Sequence, residues 1–179
     1  MTGFDLNLLM QIHNAAHNGI FDIVMPYISA AGNNGIIWIA FSVVLLFNRK
    51  YRYIGVLCIA ALDITSICGE GIIKNIVQRP RPFNEIHGVQ LLINKPTSWS
   101  FPSGHTASSF TVFWIIFREL KTLAVPVFIT AAAIAFSRMY LLVHYPSDIA
   151  GGIILGIFCA EIVIRIYYRI YLKGNKVNL

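Results

Sequence analysis

Charge is what this sequence has least of. Asp, Glu, Lys and Arg make up 12% of its 179 residues, against 56% hydrophobic ones, and the mean hydropathy is +0.66. A soluble domain carries about 25% charged residues, so the composition excludes an ordinary water-soluble globule and points to an integral membrane protein. Lysine and arginine are absent from residues 1–48. The carboxylates are few and scattered, and they form no cluster able to hold Mg²⁺. The only cysteines, Cys58, Cys68 and Cys159, lie inside apolar runs and in no CxxC or Cys/His ligand spacing. They read as small buried hydrophobes, and Cys58 and Cys68 stand too far apart along one expected helix to bridge. No Pro/Gly/Ser-rich linker divides the chain, so one domain over 1–179 is expected. The opening MTGFDLNLL lacks the basic stretch of a signal peptide, so the N-terminus is expected to be retained.

What is present is mostly helical and apolar. Residues 4–17 place Phe4, Leu8, Leu9, Ile12, Ala15 and Ala16 on one stripe and Asp5, Asn7, Gln11 and Asn14 away from it, a short amphipathic interfacial helix. A piece at 20–31 is too short to span, and five longer apolar segments follow at 34–48, 53–77, 103–118, 122–142 and 146–172. A bilayer needs about 20 helical residues, which leaves 34–48 and 103–118 at the short end. The expected fold is an all-α integral membrane bundle of about five transmembrane helices behind the interfacial helix. It divides into an interfacial N-terminus at 1–33, the bundle at 34–172 and a cytoplasmic tail at 173–179.

The net charge of +6 and pI near 9.4 raise nucleic acid as a partner, but the cations stand singly between apolar segments, which favours membrane lipid instead. Arg49, Lys50, Arg52, Arg118, Lys121, Arg165, Arg169, Lys173 and Lys176 fall at one set of segment ends. The positive-inside rule then gives an extracytoplasmic N-terminus, a cytoplasmic C-terminus and an odd number of spans. Lys74, Arg79, Arg81, Lys95 and Arg138 fall at the opposite ends, together with His105, His144 and Asp148.

Three runs hold those residues: Lys74-x6-Arg81-Pro82, Pro102-Ser103-Gly104-His105, and Ser137-Arg138-x5-His144-x3-Asp148. Ionisable groups at membrane depth are functional candidates by default. Lys74 and Arg81 share a helix face only if the helix persists, and Pro80 and Pro82 predict that it frays around Val77–Arg79, turning Arg81 over its end. Arg matches phosphate bidentately and Lys adds a point charge; taken alone, both would be read as snorkelling to headgroups. Pro102 opens a helix whose first N–H groups, at Ser103 and Gly104, make an anion site, with His105 at its edge. An ordinary helix start explains that run equally well in isolation. Asp148 stands in the first turn after Pro146, where it caps the helix and also reaches the His144 ring, fixing its tautomer.

Together the three runs resemble the signature of the type 2 phosphatidic acid phosphatase family of lipid phosphate and isoprenyl pyrophosphate phosphatases. The resemblance covers positions 74–148 and implies a role for each residue. Lys74, Arg81 and Arg138, with the backbone at Ser103 and Gly104, would bind phosphate. His144, oriented by Asp148, would attack phosphorus, and His105 would protonate the leaving oxygen and then activate water. It implies no metal and no cofactor, and an amphiphilic lipid phosphate or pyrophosphate as substrate: undecaprenyl pyrophosphate, phosphatidic acid or phosphatidylglycerol phosphate. A phosphotransferase using the same phosphohistidine is the rival. A phosphate-binding transporter fits less well, because no internal repeat is evident.

Other polar residues support smaller expectations. His13 and His17 have ligand spacing but read as the polar face of the interfacial helix. Asp63, Glu70 and Glu161 need structural partners, and Lys74 is one turn from Glu70. Gly152 and Gly156 mark close helix packing. The loop 83–101 either covers the site, contacts lipid or is plain surface.

Overall fold

The computed structural model describes residues 2–86, 88 and 90–177. Among the described residues, eight α-helices follow the expected segments closely: α1 (Thr2–Ala16), α2 (Gly19–Ala31), α3 (Ile36–Phe47), α4 (Arg52–Ser66), α5 (Lys74–Val77), α6 (Gly104–Glu119), α7 (Ala124–Tyr140) and α8 (Pro146–Val177). Of the tail expected at 173–179, Asn178 and Leu179 lie outside the described residues. So do His87 and Val89 of the 83–101 loop.

Short polar or strained residues set the boundaries. Asn18 caps α2, its side-chain oxygen accepting from the N–H groups of Ile20 and Phe21 at 3.0 and 2.9 Å. Between α2 and α3 the chain turns through Asn34 and Gly35, at φ +50° and +66°. α4 runs without a break through a π-helical segment, Ile67–Ile73, into α5. There Gln78 at φ +47° stops the helix, where Pro80 predicts that it frays.

The bundle is all-α as expected, and length and composition alone single out fewer spans than about five. Among the described residues, three stretches are long and apolar enough to cross a membrane: Arg52–Asn84, Lys121–Tyr140 and Pro146–Tyr171. α2 with the Asn33–Phe47 stretch, bent by 47°, would make a fourth. α3 has 12 residues and α6 has 16, about 18 and 24 Å at 1.5 Å per residue. α6 also carries Thr106, Ser109 and Thr111, all fully buried, which lower its hydropathy. It tolerates them because protein, not lipid, surrounds it. Trp38 donates its indole N–H to Ser109 at 2.9 Å, and Thr65 and Thr111 share a hydrogen bond of 2.8 Å. The outward faces of the bundle are apolar, with Val44, Val125, Ile154 and Phe158 exposed, a surface that hydrocarbon would cover.

α6 packs directly on α8. A Cβ on Gly152 would stand 2.8 Å from the Ser103 carbonyl, and one on Gly156 would meet the Ala107 carbonyl and, at 2.9 Å, the Thr111 amide. The glycines are therefore the packing surface expected of them. Gly156→Val drives side-chain atoms into backbone that cannot retreat. It should cost about 1–3 kcal/mol, read as a lower melting temperature in detergent.

One residue of the N-terminal helix departs from its expected place: Asp5, assigned to the polar side, is 7% exposed, whereas Phe4 of the apolar stripe lies on the outer surface. An ion pair with Arg79 at 2.6 Å draws Asp5 inward. Leu9 keeps its expected place, packed with Leu142 and Tyr145. His13 is not simply polar face either, since its Nδ1 lies 2.8 Å from the Tyr140 carbonyl and ties α1 to α7. His17 pairs with Asp22 at 3.5 Å.

Candidate active site

Three stretches meet at one end of the bundle: the α5–α6 loop, the start of α6, and the turn between α7 and α8. They bound a cavity of about 1230 Å³ whose lining includes Lys74, Arg81, Gly104, His105, Arg138 and His144. Six of the eight residues singled out in the sequence therefore share one space. Asp148 and Ser103 stand behind it.

Lys74 follows the π-helical segment, a form that recurs at functional sites. Its Nζ contacts Glu70 Oε1 at 2.7 Å and donates to Ser98 Oγ at 3.2 Å. Glu70 thus holds Lys74 as the spacing predicts. Arg81, freed from helical register by the turn at Gln78, is fixed by loop oxygens. Its Nε donates to the Ser98 carbonyl at 2.7 Å, one terminal nitrogen to the Val143 carbonyl at 2.9 Å, and the other to the Trp99 carbonyl at 3.2 Å. Arg138, on the last turn of α7, donates to Ser29 Oγ on α2, while its buried Nε has no partner among the described residues. Lys74, Arg81 and Arg138 are each 4% exposed. Three cations are therefore held under one cavity, and their charges are only partly compensated there.

His144 is set by a tight turn. Leu142 adopts φ +55°, which a branched apolar residue rarely does, and the Arg138 carbonyl accepts from the N–H groups of Val143 and His144 at 3.2 and 3.3 Å. Strain of this kind is held at a site only where the surroundings over-determine it. The ring is 1% exposed. Its Nδ1 lies 3.4 Å from Asp148 Oδ2 and its Nε2 3.2 Å from an Arg81 nitrogen. Burial pushes the His144 ring well below its ordinary pKa, and Arg81 and Arg138 push the same way against the opposing pull of Asp148. The lowered pKa keeps the ring neutral at physiological pH, with Nδ1 toward the carboxylate and Nε2 toward Arg81.

Asp148 is fully buried and saturated with donors. Oδ2 accepts from Ser100 Oγ and from the Tyr145 N–H at 2.9 Å, and Oδ1 accepts from Arg79 at 2.7 Å. It caps α8 and reaches back to His144, as the sequence suggests. His105 projects from the first turn of α6, its Nε2 2.9 Å from Asn33 Oδ1.

One expectation is corrected. The Ser103 N–H is not free for an anion, because it donates to the Asp148 carbonyl at 3.1 Å and the residue is fully buried. Ser103 instead caps α6, its hydroxyl accepting from the Thr106 N–H at 3.4 Å. The cause is the close approach of α8 at Gly152. Gly104 does line the cavity, and a Cβ there would meet only the end of the Glu70 side chain.

Several contributors carried little or no signal in the sequence. Arg79 stands in the Arg-Pro-Arg-Pro run, yet nothing in the spacing distinguishes its role from that of Arg81. It bridges Asp148 at 2.7 Å and Asp5 at 2.6 Å, and its guanidinium lies 3.9 Å from the Tyr145 ring centroid. The loop 83–101 proves to be a wall of the site, since Leu91, Leu92, Ile93, Lys95 and Ser98 line the cavity. Asp63 lines it too, whereas Glu161 pairs with Arg118 and Arg165 at 2.6 and 2.8 Å, away from the site.

A helical membrane bundle with a buried histidine beside a carboxylate, a second histidine and three buried cations around one cavity has the make-up of a membrane phosphatase. The chain belongs to the PAP2 superfamily, whose family model matches residues 53–171. It is 30% identical to an undecaprenyl-diphosphatase of Sulfolobus acidocaldarius over 92% of this chain and 79% of that one. It is 29% identical to the undecaprenyl-diphosphatase BcrC of Bacillus subtilis over 92% of each. The crystal structure of Aquifex aeolicus LpxE superposes with a TM-score of 0.78 at 28% identity, covering 89% of this chain and 94% of that one.

Proposed function

We propose that this phosphatase hydrolyses an isoprenyl diphosphate or a related amphiphilic lipid phosphate, at the extracytoplasmic face, through a phosphohistidine on His144. The observation that carries the reading is the seating of the buried His144 between Asp148 and Arg81 at the wall of a cavity that Lys74 and Arg138 also line. Phosphate oxygens would be held by Lys74, Arg81 and Arg138, and the partnerless Arg138 Nε supports an oxyanion ligand.

The chemistry follows from the placement. The His144 Nε2 lone pair forms a bond to phosphorus as the P–O bond to the leaving group breaks, and the leaving oxygen takes its proton from His105. Water then gives a proton to His105 and its oxygen to phosphorus, and the P–N electrons return to His144. Asp148 stabilises the charged ring in between, and the cations stabilise charge on the transferred group. The names of the relatives favour an isoprenyl diphosphate. The clustering of Arg49, Lys50, Arg52, Arg118 and Lys121 at the opposite helix ends favours an outward site.

The test is phosphate release by purified protein with EDTA, from undecaprenyl diphosphate and phosphatidic acid in parallel. Faster release from the diphosphate that survives EDTA is expected. Release from phosphatidic acid alone would overturn the substrate assignment, and loss of all release in EDTA would overturn the mechanism.

A further inference from the structure

The polar partner of His105 comes from outside the three sequence runs. At the break between α2 and α3, Asn33 Oδ1 lies 2.9 Å from His105 Nε2. The break itself is shaped to the ring. Gly32 abuts it so closely that a Cβ there would stand 2.9 Å from His105 Cδ2. Asn34 and Gly35 then take left-handed backbone, φ +50° and +66°, to carry the chain away into α3. Asn33 and His105 line the same cavity. Among the described residues, no protein group takes His105 Nδ1.

We propose that Asn33 is the positioning residue of His105: its amide oxygen accepts the Nε2 proton, fixes the ring plane and tautomer, and leaves Nδ1 as the nitrogen that exchanges a proton with substrate and water. This rests on the acid–base reading of His105 given above. The two histidines are then backed by different groups for different tasks. His144 must carry positive charge while bonded to phosphorus, and a carboxylate backs it. His105 must both give and take a proton, and a neutral amide orients it without favouring the charged form. The other titratable and charged groups around this ring are the cations Lys74, Arg81 and Arg138, the neutral His144 ring, the Glu70 carboxylate beside Gly104, and Asp63 on the same cavity wall.

Three substitutions and two substrates test it in the full-length purified protein. A lipid diphosphate needs its leaving oxygen protonated, whereas 4-nitrophenyl phosphate has a leaving group that departs without a proton. Asn33→Ala should lower kcat/KM for the lipid about 10- to 100-fold and for the aryl phosphate several-fold less. Asn33→Asp should restore much of the lipid activity and move the alkaline limb of its pH profile up by about one unit, because a carboxylate beside the ring favours its protonated form. Equal losses on both substrates, or an alkaline limb unmoved by Asn33→Asp, would overturn the assignment. His105→Gln separates the two levels. If it shows the leaving-group dependence and the Asn33 variants do not, only the positioning role fails. If His105→Gln shows no such dependence, the acid–base reading fails and the positioning role with it.

Discussion

Replacing His144 by glutamine is expected to reduce phosphate release from a lipid diphosphate by about 10⁴-fold or more, in a protein that keeps its fold. Glutamine retains most of the ring's volume in a site that is 1% exposed, and Asp148 keeps Ser100, the Tyr145 N–H and Arg79 as donors. What is lost is the only atom that can bond to phosphorus from that position. The complementary variant is His105→Gln supplied with 4-nitrophenyl phosphate. Phosphorylation of His144 should then proceed while hydrolysis of the intermediate lags, because water has lost its base. A phosphoenzyme that is labile in acid and stable in base should accumulate, with the label on His144 by mass spectrometry. Label on another residue, or turnover by His144→Gln within tenfold of wild type, would sink the nucleophile assignment. The depressed pKa of His144 fixes the sign of the pH dependence. The neutral ring is the reactive form and is already present at neutral pH, so kcat/KM should not fall through His144 protonation between about pH 7 and 5.

The sequence disclosed the site and the helices unequally, for physical reasons. Charge in an apolar chain is conspicuous because hydrocarbon penalises it, so Lys74, Arg81, Arg138, His105, His144 and Asp148 stood out without any structure. Helix ends were equally plain at Pro80 and at Pro146, where local chemistry dictates them. Span number was not, because α6 is enclosed by protein and needs no continuous apolar surface: Ser109 and Thr111 find partners on α3 and α4. Long-range pairing was the least legible. Asp5 lies far from Arg79 in sequence, and on a helix read as interfacial an aspartate defaults to water. Ser29 and Asn33 were invisible for the same reason, since the α2–α3 corner gains its meaning only when it meets α6 and α7. The Ser103 N–H reads as open in the sequence because nothing local signals the approach of α8.

The pairing of Asp5, Arg79 and Asp148 carries the other large expected effect. Arg79 joins the α1 carboxylate to the carboxylate behind His144, with N···O distances of 2.6 and 2.7 Å, and its side chain is 15% exposed. The Ser147 N–H donates to Asp5 at 3.1 Å, so α1 is stitched to the start of α8 at the same point. Arg79→Ala would leave two carboxylates with their common cation removed, one of them fully buried. Losing one partner of a buried charge network costs about 3–5 kcal/mol, which should appear as a marked fall in melting temperature. Activity should fall further than folding alone explains, because an Asp148 without Arg79 holds its charge less readily and supports the His144 cation less well. Asp5→Asn separates the two effects, since it keeps Arg79 on Asp148 and removes only the tie to α1. Thermal stability should drop by a smaller amount in that variant, with kcat close to wild type in the folded fraction. If Asp5→Asn lowers kcat as severely as Arg79→Ala, the coupling runs through the docking of α1 rather than through the charge on Asp148. If Arg79→Ala melts and turns over like wild type, Arg79 is a surface cation and the bridge contributes nothing.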